Sequence, residues 1–85
     1  MTKVVLTHAV VDVNRWLQGK ADRAAALGSN VVDYVAEDGS HNIAITADVD
    51  DFAALQAMLA APPAEVQAQM DEHGVVPPVT TYIQA

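Results

Sequence analysis

Residues 3–11, KVVLTHAVV, are apolar at both alternate sets of positions. Val4, Leu6, His8 and Val10 fall on one side, and Val5, Thr7, Ala9 and Val11 on the other. The β-branched content and polar flanks predict a strand. A strand apolar on both faces has to be covered on both. After Asp12 the spacing becomes helical, through Val13, Trp16, Leu17, Ala21, Ala24 and Leu27. Asp12 is the expected N-cap and Gly28 the stop, so one helix is predicted between them. Strands are predicted at 30–36, NVVDYVA, and 41–47, HNIAITA, with the Asp-Gly of EDGS as a hairpin signal between them. Asp48 and Asp50 offer caps to a second helix with Phe52, Leu55, Met58 and Leu59 as its buried stripe. Pro62 and Pro63 end that helix, because proline lacks a donor and clashes with the preceding turn. A short helix over about 63–73 follows, with Val66, Met70 and His73 on one face and Gly74 as its stop. A VVPP turn then leads into a last strand at 79–84.

Strand, helix, strand, strand, helical region, strand is the order of a split βαβ, or ferredoxin-like, α+β domain. In that arrangement a four-stranded antiparallel sheet carries its helices on one face. The other face has nothing in the chain to cover it, although the first strand is apolar there too. A second copy of the sheet is the simplest cover, so a homodimer is expected.

Composition supports this reading. The chain has 85 residues, one domain's worth, and is 52% hydrophobic with only four Phe, Tyr or Trp side chains. Small Ala and Val side chains build thin cores, and no cysteine is present to staple them. The formal charge is −7, from 11 acidic and 4 basic residues. Lys3, Arg15, Lys20 and Arg23 are too few for a phosphate-binding patch, so neither nucleic acid nor an anionic membrane surface is an expected partner. No apolar stretch has the length of a membrane span, and the N-terminus lacks a cleavage signal; a cytoplasmic protein is expected.

The topology brings His8, His41, His73 and Trp16 to one end of the domain. His8 stands late on the first strand, His41 opens the third, His73 closes the ascending helical region, and Trp16 begins the descending helix. For each there is a structural role to set beside a chemical one. His8 is either a satisfied strand histidine or a proton acceptor. His41 follows a turn where solvation is ordinary. His73 is favoured by a helix C-terminus yet points inward, and Trp16 is core or a platform for substrate. A three-histidine zinc site lacks any local ligand spacing, so no metal is expected. Phosphate loops, cysteine nucleophiles and serine elbows are absent. Asp48, Asp50 and Asp51 read as helix caps rather than a calcium loop.

The stretch HAVVDVNRW at 8–16, and DVDDFAALQAMLAAPPAEVQAQMDEHGV at 48–75, resemble small bacterial proteins of the antibiotic biosynthesis monooxygenase-like, dimeric α/β-barrel superfamily. The resemblance runs over nearly the whole chain. His8 matches the strand histidine of the opening pattern, Asp12 the cap and Trp16 the helix tryptophan; His73 stands where a small residue is expected. The resemblance implies a homodimer whose pocket between sheet and helices binds an apolar or polyketide-like small molecule. It implies no cofactor, and either isomerase- or cyclase-like proton transfer or monooxygenase-like oxidation. His8 and His73 are the candidate acid/base residues. Trp16, His41, Tyr34 and Tyr82 are the candidate substrate-binding residues. A non-catalytic ligand-binding or accessory homodimer is the rival class.

Overall fold

A computed structural model describes residues 1–85. Its elements are β1 (Thr2–Val10), α1 (Val13–Leu17), α2 (Lys20–Leu27), β2 (Ser29–Val35), β3 (Asn42–Val49), α3 (Phe52–Ala60), α4 (Ala64–Glu72) and β4 (Val75–Ile83). The sheet order is β2-β3-β1-β4, and every neighbouring pair is antiparallel. This is the expected ferredoxin-like α+β arrangement, with β1 and β3 in the centre. No helix is long and apolar enough to cross a membrane.

Alternation along the central strands sorts the core. Val4, Leu6 and Val10 of β1 and Ile43, Ile45, Ala47 and Val49 of β3 are buried, facing the helices. Trp16 completes one cluster with Leu6, Val10, Ile43 and Ile45, while Leu55 joins Val4, Ala47 and Val49 in the other. On the opposite face two rows run across the sheet. One consists of Val32, Thr46, Val5 and Tyr82, the other of Tyr34, Ala44, Thr7 and Thr80. Val32, Tyr34 and Tyr82 are exposed there.

Three boundaries differ from expectation. The predicted single helix is two, because the chain turns at Gln18 and Gly19. A β-carbon built on Gly19 would overlap the imidazole ring of His73, so the close approach of that ring requires glycine here. The break also rotates the second segment. Arg23 is buried over the Trp16 ring, whereas Leu17, Ala21 and Ala24 of the expected stripe face solvent.

The VVPP segment is the start of β4 and not a turn before it. Its prolines are tolerated because β4 is an edge strand, where a missing donor costs no ladder bond on the outer side. The register against β1 slips between Thr7 and Ala9, beside this segment. The cap of α3 is Asp51, which accepts from the Ala54 backbone N–H at 3.0 Å. Asp48, expected as a cap, is the penultimate residue of β3 and pairs with Lys3 Nζ at 2.8 Å. The Asp-Gly turn forms as expected, with Gly39 at φ 77° and Asp38 accepting from the Ser40 N–H at 2.8 Å.

Candidate functional site

Between the sheet and the helices lies a cavity of about 80 Å³. Leu6, His8 and Ile45 form its floor, Arg23 and Leu27 one wall, and Met58, Leu59, Val66 and Met70 the outer side, with His73 at one end. Sites for drug-sized ligands run to roughly 300–1,000 Å³. This one holds a head group of a few atoms, unless the flexible Met58 and Met70 side chains give way. Its lining is mainly hydrophobic, and the titratable groups in it are His8, Arg23 and His73.

His8 reaches the cavity because alternation on β1 sends it to the same side as Leu6 and Val10. Its Nδ1 lies 2.8 Å from the Ala9 carbonyl oxygen. A carbonyl only accepts, so Nδ1 carries the hydrogen and Nε2 is left with a lone pair. The ring stands edge-on to Trp16, with centroids 6.2 Å apart at 84°. Burial holds the pKa of His8 below its ordinary 6.5; the Ala9 hydrogen bond opposes this, and the positive charge of Arg23 adds to it. His8 is therefore a neutral imidazole near pH 7, with an unprotonated nitrogen.

His73 is built differently. It caps the end of α4 and its side chain is 7% exposed. Its Nδ1 accepts from Arg23 Nη1 at 3.4 Å, which puts the ring hydrogen on Nε2, 3.7 Å from the Asp22 carboxylate. One nitrogen is thus engaged, and the other lies near a carboxylate without a hydrogen bond to it. His73 steadies Arg23 more than it offers a free base.

Arg23 is the hub of the site. Nη1 donates to the Trp16 carbonyl oxygen at 2.6 Å, and Nη2 donates to Asp33 Oδ2 at 3.1 Å. The guanidinium carbon sits 4.0 Å above the centre of the Trp16 ring system. Its side chain and that of Asp33 are 8% and 3% exposed, so this is a buried ion pair. Arg23 Nε, Asp33 Oδ1 and Trp16 Nε1 are buried without a hydrogen-bond partner.

Of the residues proposed from sequence, His8, Trp16 and His73 come together around Arg23, with Trp16 fully buried as core beside the cavity rather than in its lining. His41 does not join them. It is exposed, its backbone oxygen accepting from the Val10 N–H at 2.8 Å, and the three histidines form no common ligand set. Tyr34 and Tyr82 are exposed at opposite edges of the other sheet face, and Tyr34 borders a broad open depression there with Thr7, Asn42 and Pro78. Sequence reasoning missed Arg23 and Asp33. A signal existed: Asp33 is the one charged residue among Val31, Asp33 and Val35 on alternate strand positions, and Arg23 lies two turns from Trp16. No family model, curated protein or solved structure matches the sequence.

Proposed function

We propose that the chain is a homodimeric, cofactor-independent small-molecule enzyme that moves a proton in the cavity between sheet and helices, with His8 as the base. The observation that carries this reading is the state of His8. Its Nδ1 is anchored on a backbone oxygen, its Nε2 lone pair is free, and burial keeps it neutral beside a cavity. General bases need that combination of fixed orientation and an unprotonated nitrogen at working pH. The resemblance of 8–16 and 48–75 to the antibiotic biosynthesis monooxygenase-like superfamily supports a small-molecule enzyme, and isomerisation or cyclisation suits a lone histidine better than oxidation does. The dimer is supported by the open face, where Val5, Val32, Tyr34, Val76 and Tyr82 have no cover within the chain.

One observation favours the second reading, a ligand-binding protein without turnover. His73 accepts from Arg23 on Nδ1 and its other nitrogen is turned toward the Asp22 carboxylate, so His8 is the one imidazole in the lining whose free nitrogen has no carboxylate beside it. Catalysis then depends on His8 both taking and giving the proton.

A thermal-shift screen of aromatic and polyketide-like compounds identifies ligands, and turnover of each hit is then compared between the native protein and His8→Gln. Glutamine keeps a hydrogen-bonding group but carries no proton. The expected result is retained binding with turnover lowered by about 10²–10⁴-fold, the usual worth of a general base. Undiminished turnover in folded His8→Gln removes His8 from the mechanism. A ligand bound by both proteins and turned over by neither establishes the binding protein.

A further inference from the structure

Arg23 is not needed at a cavity wall for packing alone. Burying a guanidinium is expensive, and a well-packed apolar pair in place of such an ion pair is commonly neutral or stabilising. Yet this one is held from four sides: by the Trp16 ring beneath it, the Trp16 carbonyl, Asp33 and His73. It still retains a buried Nε–H without a partner. Such a group, already oriented and already removed from water, stabilises charge that develops next to it without any reorganisation. Arg23 and His8 both line the cavity, which places one cation and, on its sheet side, one neutral acceptor around the same space.

We propose that the cavity takes the enolisable carbonyl end of its substrate, with Arg23 holding the carbonyl oxygen while His8 removes the proton from the adjacent carbon. This rests on the proton-transfer reading given above. In the step, the C–H electron pair becomes the C=C bond of the enolate as the carbonyl π pair moves to oxygen. The proton goes to His8 Nε2, making an imidazolium, and the oxyanion is held by the guanidinium. Where a C=C lies beyond the deprotonated carbon the product is a dienolate. Return of the proton to its far (γ) carbon moves the double bond into conjugation, completes an isomerisation and restores the neutral ring, with no oxidant or reductant consumed. Burial is the main cause that lowers the His8 pKa, and the smaller contribution from the positive charge of Arg23 is consistent with the two groups acting across one space. The volume of about 80 Å³ fits a carbonyl head group.

The probe is acetylacetone, a small enolisable diketone, with toluene as an apolar control. Deuterium exchange at its central carbon is followed by proton NMR, and enolate formation by ultraviolet difference spectra. The native protein is expected to accelerate exchange at least tenfold over an equal concentration of His8→Gln. The double variant Arg23→Gln/Asp33→Asn removes both charges together, so neither is left buried alone. It is expected to lose the enolate signal and at least tenfold in exchange while binding toluene as before. Should that variant fail to fold, the Arg23 Nε–H resonance of the native protein decides. It must shift with acetylacetone and stay still with toluene; no shift overturns the proposal. Exchange lost in His8→Gln but kept in the folded double variant leaves the proton-transfer reading standing and overturns the role of Arg23. Exchange unaffected by His8→Gln defeats the underlying reading itself. If the native protein accelerates no exchange while turning over a non-enolisable hit from the thermal-shift screen, the substrate class is wrong and the enzyme reading survives.

Discussion

The imidazole of His8 has its reactive nitrogen fixed by a single bond on the other nitrogen, so its behaviour with pH follows from burial. Its folded pKa lies below the ordinary 6.5, with desolvation the largest cause. The unfolded chain therefore binds more protons than the folded one wherever pH falls between those two values. Stability contributed by neutral His8 is fully present above about pH 6.5 and declines as pH drops below it toward the folded value. NMR titration of His8 should give an acid-shifted curve, and kcat/KM should fall on the acid side with that midpoint. A His8 midpoint at or above 6.5 would contradict the burial argument. At this scale the sequence was half legible. Strand alternation and topology put His8 and His73 at one place, because both depend only on parity and direction. Arg23 lies two turns from Trp16, but its burial depends on a partner, Asp33, ten residues on in the next strand, and no local pattern announces that pairing.

That break is the most consequential event among the elements. The expected stripe carries Ala21 and Ala24 inward; with α1 ending at Leu17 and α2 restarting at Lys20, both alanines face solvent and Arg23 is the buried residue of α2. Gly19 is the N-cap of α2, a position where alanine brings no helix-propensity gain over glycine. The His73 ring occupies the space a β-carbon needs, and overpacking of that kind costs about 1–3 kcal/mol. Gly19→Ala is accordingly expected to lower the melting temperature by several degrees, since about 1 kcal/mol is worth roughly 4–8 °C in a domain of this size. The same change in a His73→Ala background should cost clearly less. A Gly19→Ala protein more stable than the native one would mean that the ring is free to move and that His73 does not steady Arg23. The strand ends show a parallel lesson. Proline marks β4 as a turn to any reader of sequence, and only its place at the sheet edge makes the assignment of Val75–Ile83 as strand physically acceptable. The hydrophobic pattern specified which elements exist and in what order; contacts between distant residues decided where they begin and bend.

On the scale of the whole molecule, the unresolved balance is between apolar content and burial. The chain is 52% hydrophobic, yet 13 of its 85 residues are buried, so much apolar surface is available to a partner. The face that lacks helices concentrates it: Val5, Val32, Tyr34, Val76 and Tyr82 share that side with Thr7, Ala9, Ala44, Thr46 and Thr80. Two copies of a chain with formal charge −7 repel one another, and they associate most readily through a face that carries little charge. The middle rows here contain neither carboxylate nor ammonium. Charge is confined to one end, where Lys3, Asp48 and Asn30 are joined by contacts of 2.8 Å. A twofold contact through the middle rows leaves that end at the rim, where polar groups keep their water. Light scattering at micromolar concentration should give twice the 9.0 kDa chain mass. Thr7→Lys places an ammonium on the central strand β1 in the middle of the contact, where burial without a partner costs several kcal/mol. That variant should run as a monomer and melt at lower temperature, because its exposed apolar face no longer finds cover. Asn30→Lys adds the same charge at the polar end and should leave the dimer intact. If the native protein is monomeric, or if both lysine variants dimerise alike, the open face is not where two copies meet.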